Sequence, residues 1–91
     1  MIRVIDGTRY NTDTAEKIAE KDNGLYITDF NYRSATLYKT KKGKYFIYHE
    51  GGAATDIARL TEDGAYVYGE IIEPISEERA ERIVSGKSTL F

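Results

Sequence analysis

The chain's single histidine, His49, precedes Glu50 and a glycine pair in the stretch YHEGGAATDIARL. An imidazole that titrates near neutral pH, set beside a carboxylate, is common equipment for proton transfer. Adjacent residues on a strand point to opposite faces, so His49 and Glu50 can cooperate only if the strand breaks between them. One histidine and no cysteine would leave zinc to carboxylates and water, a poor tetrahedral set. No serine or threonine has a recognisable base partner. A small enzyme built on His49 and Glu50 is therefore the third-ranked reading, and no catalytic residue, metal or cofactor is assigned.

Gly51-Gly52 ahead of a helix-compatible segment resembles an anion-binding turn with free N–H groups. A phosphate loop needs Lys-Ser/Thr after its glycines. Here Ala53-Ala54-Thr55-Asp56 follows, and Asp56 would repel a phosphate. The pair reads better as a sharp corner at the end of a strand.

Two charged groups remain as binding candidates. Between Arg33 and Lys44 there are five bases and no acid, with Lys39, Lys41, Lys42 and Lys44 at a hairpin tip suited to a nucleic-acid backbone. Lysine at such a tip also serves plain solubility. Between Glu50 and Glu81 there are nine acids against Arg59 and Arg79. Within it Glu70, Glu73, Glu77, Glu78 and Glu81, flanked by Tyr66 and Tyr68, would imitate nucleic-acid charge and enter a basic channel, with the tyrosines as anchors. A solvated helix face explains the same acids without a partner.

The elements that must position these residues read as α+β. MIRVI, the turn Asp6-Gly7 and TRY make a short hairpin. NTDTAEKIAEKDNG reads as a helix capped at Asn11 or Thr12, with Ala15, Ile18 and Ala19 as a narrow apolar stripe, ending at Asn23-Gly24. LYITDFNY is strand-like. SATLYKTKKGKYFIYHE is the clearest hairpin, with Gly43 in the left-handed region and Thr40 paired with Lys44. That register sets Leu37 against Ile47, Tyr38 against Phe46, Thr36 against Tyr48 and Ala35 against His49. One face is then aliphatic and the other aromatic, as in a central strand pair. AATDIARL suits a short helix. AYVYGEIIE is a strand with Gly69 at a bulge, ended by Pro74. Ser76 caps a last helix, EERAERIVS, stapled by Ile75 on Ala80 and stopped at Gly86. The expectation is one domain over residues 1–91, a mainly antiparallel sheet of about four to six strands with two or three short helices.

Ninety-one residues bury a modest core and leave little room for a second domain. No apolar run approaches a membrane span, and MIRVIDGTRY lacks a signal-peptide core. With cysteine absent, the expected location is cytoplasmic, with no membrane partner. Eight tyrosines, three phenylalanines and no tryptophan suit both interfaces and half-buried strands. Aromatic strands at a sheet edge would permit a homodimer.

Three segments, RVIDGTRYNTDTAEKIAE, TLYKTKKGKYFIYHEGGA and IIEPISEERAERIV, resemble a family of small uncharacterised proteins encoded in phages and mobile elements. The resemblance rests on Ile5, Asp6, Gly7, Arg9, Tyr10, Thr12, Thr14 and Ala15 at the start. In the hairpin it rests on Leu37, Tyr38, Thr40, Lys41, Gly43, Tyr45, Phe46, Glu50, Gly51 and Gly52. The pattern departs after Ala54, and the last helix lacks the family's aromatic residue. The gene setting this implies is one rich in inhibitors of host defence, including anti-CRISPR proteins. The leading expectation is a non-enzymatic inhibitor whose partner is a host protein complex such as a CRISPR effector. The second is a nucleic-acid-binding accessory protein that uses the basic hairpin.

Overall fold

The computed structural model describes Met1–Phe91. Its elements are β1 (Ile2–Ile5), β2 (Thr8–Asn11), β3 (Glu16–Asp22), β4 (Arg33–Lys39), β5 (Tyr45–Gly51), β6 (Arg59–Leu60), β7 (Tyr66–Val67), β8 (Gly69–Ile75) and α1 (Glu77–Val84). The main sheet has the order β3-β4-β5-β8, antiparallel throughout, and β1-β2 and β6-β7 form separate two-stranded ribbons.

The β4-β5 hairpin has the register read from the sequence. Gly43 turns it at φ +85°, and the Thr40 and Lys44 backbones close it, with the Thr40 N–H donating to the Lys44 carbonyl at 2.7 Å. Side chains alternate across a strand, so the two strands split their apolar residues between two faces. On one face Ala35, Leu37 and Ile47 bury against Ala80, Ile83 and Leu90. On the other, Phe46 and Ile72 bury against Tyr10 of β2. The Phe46 ring stacks on Tyr38 at 5.2 Å and meets Tyr10 edge-on at 5.3 Å. Helix, sheet and β1-β2 ribbon thus make three layers. Leu37, Phe46 and Ile47 lose all exposure, and each such burial contributes about 1.5–3 kcal/mol.

Helix α1 follows its sequence signals. The Ser76 hydroxyl accepts from the Arg79 N–H at 3.1 Å, Glu77 and Glu78 occupy the positive first turn, and Gly86 at φ +80° ends the helix. Ile75 packs against the buried cluster that contains Ala80, and Leu90 returns to the same cluster.

Five expectations about the elements are corrected. Residues 11–24 are not a helix. Asn11 does accept from the Asp13 N–H at 2.9 Å, and one turn closes from Ala15 back to Asn11. The chain then runs on as β3, which pairs the outer side of β4. A register shift between Lys17 and Ala19 lets the consecutive Ile18 and Ala19 both reach the aliphatic core, while Ala15 packs on the aromatic one. A bulged strand thereby reproduces a spacing that looks helical. AATDIARL is a pair of turns leading into β6, and LYITDFNY is a looped segment, so the fold has one helix. Pro74 does not end its strand: β8 is an edge strand, where a missing N–H is tolerated, and pairing continues to Ile75. The aromatic strands β4 and β5 are interior, leaving β3 and β8 as the sheet edges. No helix is long and apolar enough to cross a membrane.

Candidate functional site

His49 and Glu50 do point to opposite faces. The His49 ring is buried between two charged groups on the helix side of the sheet. Arg33 Nη2 lies 3.0 Å from Nδ1, and Glu73 Oε1 lies 2.9 Å from Nε2. Arginine only donates, so Nδ1 accepts and Nε2 carries the proton given to Glu73. Arg33 also donates to Asp56 Oδ1 at 3.0 Å and to the Ser34 carbonyl at 2.7 Å, and Glu73 accepts from Arg79 at 2.8 Å. Both ring nitrogens are engaged, which leaves no lone pair facing a substrate. Partial burial pushes the Glu73 carboxyl up, but the hydrogen bonds from His49 and Arg79 outweigh it and hold the carboxyl below its usual range.

The corner after β5 is closed on itself. The Gly52 N–H donates to the Tyr32 carbonyl at 2.9 Å, so it is not available to an anion. A Cβ on Gly52 would stand 2.5 Å from the Asp29 and Phe30 carbonyl oxygens, and one on Gly69 would stand 2.0 Å from the Ile57 carbonyl oxygen. Close backbone approach, rather than a bulge, is what these glycines permit.

The candidate acids do not form one surface. Glu73 faces the helix layer inside the His49 network. Glu70 lies across the sheet from Glu50 on the opposite face. There Tyr48 donates to Glu70 at 2.7 Å and Tyr68 donates to Glu50. Burial first, and these hydrogen bonds second, push both phenols well above their usual range, so they serve as neutral donors. Tyr68 is thereby committed within the fold, whereas Tyr66 is exposed on the β6-β7 ribbon. Glu77, Glu78 and Glu81 remain exposed on α1, with Arg79 and Arg82 interspersed.

A surface the sequence reading did not single out lies in the loop between β3 and β4. Leu25, Tyr26, Ile27 and Phe30 are 41%, 86%, 58% and 72% exposed. The loop is held firmly. Asp22 accepts from the Gly24 N–H at 2.7 Å and Asp29 from the Asn31 N–H at 2.8 Å. Asn23 Nδ2 donates to the Asn31 carbonyl at 2.7 Å, and the Ala54 N–H donates to the Phe30 carbonyl at 2.9 Å. Asp and Asn side chains that bond the backbone two residues on are turn formers. Their flanking of LYITDF is the signal that separates this loop from a strand.

The lysine tip gains partners from elsewhere in the chain. Lys41, Lys42 and Lys44 share a concave site of about 500 Å³ with Thr8 and Arg9 of the β1-β2 ribbon and with Thr40. Lys39 lies outside it, its ammonium 5.5 Å from the centre of the Tyr45 ring. The contribution of Arg9 was not legible, because nothing in the sequence aligns the tips of two separate hairpins.

No group of histidine, cysteine or carboxylate side chains is placed to hold a metal ion. The chain matches no protein-family model, no curated protein and no solved structure.

Proposed function

We propose that this chain is a non-enzymatic binding protein whose β3-β4 loop docks on a host protein. The observation that carries this reading is four large apolar side chains held exposed on one pinned loop. Two features make it a protein interface. Tyr26 and Phe30 are rigid aromatic anchors of the kind that dominate binding energy, each offering about 150–250 Å² toward the roughly 800 Å² per partner of a standard interface. From Asp22 to Tyr32 the only charges are Asp22 and Asp29, which suits a partner with a basic rim.

The resemblance to phage and mobile-element proteins gives the class of target: a host nucleic-acid defence complex, such as a CRISPR effector, inhibited by occlusion of a basic surface. The anchors in this reading are Tyr26 and Phe30. Tyr66 and the exposed acids Glu77, Glu78 and Glu81 are peripheral, and Glu70, Glu73 and Tyr68 serve the fold.

The test is phage plating on a host with active CRISPR immunity that expresses the chain. The wild type restores plaques. Tyr26→Ser with Phe30→Ser does not, and reversal of Glu77, Glu78 and Glu81 to lysine leaves the effect largely intact. Each anchor contributes at least about 2 kcal/mol, so the double variant weakens binding on the order of 1,000-fold. Equal restoration by the loop variant would remove the loop from the interface, and no effect of the wild type on any defence system tested would remove the inhibitor reading.

A further inference from the structure

We propose a second binding site, at the end of the main sheet opposite the apolar loop: the cleft between the tips of the β1-β2 and β4-β5 hairpins takes the phosphate backbone of a nucleic-acid duplex. Two tight turns build it. Gly7 at φ +78° and Gly43 at φ +85° fold the two tips back sharply, and the layer packing of Tyr10 on Phe46 sets them side by side. The result is a concavity of about 500 Å³ with four cations, Arg9, Lys41, Lys42 and Lys44, and no acid in its lining.

None of these four cations is in an ion pair. The ion pairs of the fold are Lys17–Glu20, Arg33–Asp56 and Arg79–Glu73. Four like charges held together without counter-charge repel one another, and that repulsion is relieved when a polyanion enters. The Thr8 and Thr40 hydroxyls add neutral donors of the kind that position phosphate oxygens. The nearest acids along the chain, Asp6 and Asp13, are exposed and outside the lining.

The lining contains no aromatic ring. Tyr10 is buried, and Tyr38 and Tyr45 are half-buried in the sheet. Single-strand binders rely on bases stacked on exposed rings, and no such platform is present here. The site therefore fits the dense, regular charge of a duplex, about one per 1.7 Å of helix axis, read without regard to base sequence. The charge lies at the Lys39 end of β4 and the apolar loop precedes its Arg33 end, about 20 Å away for a seven-residue strand. The two sites can therefore be removed separately.

The experiment is fluorescence anisotropy of a labelled duplex of about 20 base pairs, long enough to span several phosphate contacts, titrated with the full chain at increasing NaCl. Four phosphate contacts predict a slope of log K against log salt near −3.6, or about 150-fold weaker binding between 50 and 200 mM. Lys41→Gln with Lys42→Gln should halve the slope, leaving a loss of about 12-fold over the same range. Arg9→Gln should reduce it by about 0.9, which the lysine hairpin alone would not predict. Tyr26→Ser with Phe30→Ser should leave duplex binding unchanged. The proposal is overturned by any of four results: no duplex binding at about 50 mM salt, binding that ignores the lysine and Arg9 variants, tighter binding to the matching single strand, or labelled ATP bound in place of duplex.

Discussion

Gly52→Ala tests how the fold presents its apolar loop. The added Cβ would stand 2.5 Å from two backbone oxygens, those of Asp29 and Phe30, and 2.7 Å from the Phe30 carbonyl carbon. Backbone atoms cannot swing aside as a side-chain tip can, so the loop must retreat by about 0.5 Å merely to reach the 3.0 Å limit of real contacts. That retreat pulls on the two hydrogen bonds that fasten the corner to the loop, Gly52 to Tyr32 and Ala54 to Phe30, each 2.9 Å. Overpacking costs about 1–3 kcal/mol, and a backbone hydrogen bond is worth about 1 kcal/mol. A total loss of about 2–4 kcal/mol follows, from a domain whose whole stability is on the order of 5–14 kcal/mol. At about 4–8 °C per kcal/mol the melting temperature should fall by about 8–32 °C. Thermal unfolding by circular dichroism reads the loss, and native-state exchange at the Ala54 amide reads the loosened corner. Gly64→Ala is the control, because nothing lies within 4 Å of its Cβ and its φ of +87° is the only strain; it should cost about 1 kcal/mol. A Gly52→Ala variant that melts within about 2 °C of wild type, with the Ala54 amide still protected, would refute this account of the corner.

Other perturbations read the rest of the fold. His49→Ala strands Arg33 and Glu73 without their shared partner and should lower stability by about 2–4 kcal/mol in urea unfolding, while the surviving folded protein keeps its plating phenotype. Loss of that phenotype from a folded variant would revive the enzyme reading. Glu73 has a folded pKa below its ordinary 4.5, so it contributes stability above that value and loses it as pH falls through the depressed one. Glu73→Gln should flatten the acid limb of a urea-midpoint profile recorded from about pH 6 to 3, and an unchanged limb would contradict the network. Ser76→Ala removes the cap of α1 and should cost about 1 kcal/mol, seen as a shift in the urea midpoint.

What was legible in the sequence was whatever local chemistry decides. The Lys41-Lys42-Gly43 turn determines the β4-β5 register, and that register alone separates the aliphatic face from the aromatic one and sends His49 and Glu50 apart. The Ser76 cap and the Gly86 stop bound α1 for the same reason. What tertiary pairing decides was not legible. Ala15, Ile18 and Ala19 carry helical spacing, yet the outer side of β4 needed a partner, and a bulge let the same residues serve a strand. Strand alternation already sets Glu70 and Glu73, three apart, on opposite faces; what spacing does not reveal is their separate commitments, Glu73 to His49 and Arg79 and Glu70 to Tyr48. The apolar loop was hidden because LYITDF has the composition of a strand. Only the backbone bonds of Asp22, Asn23 and Asp29 turn it outward. Arg9 joins the lysines through layer packing that no local pattern encodes.

The most direct measurement is a side-by-side affinity capture from nuclease-treated lysate of a CRISPR-active host, with the tagged wild type, the Tyr26→Ser/Phe30→Ser variant and the Lys41→Gln/Lys42→Gln variant as baits. The account predicts that wild type and the lysine variant retain the same defence complex and the loop variant does not. A loop variant that retains that complex at wild-type yield would contradict it.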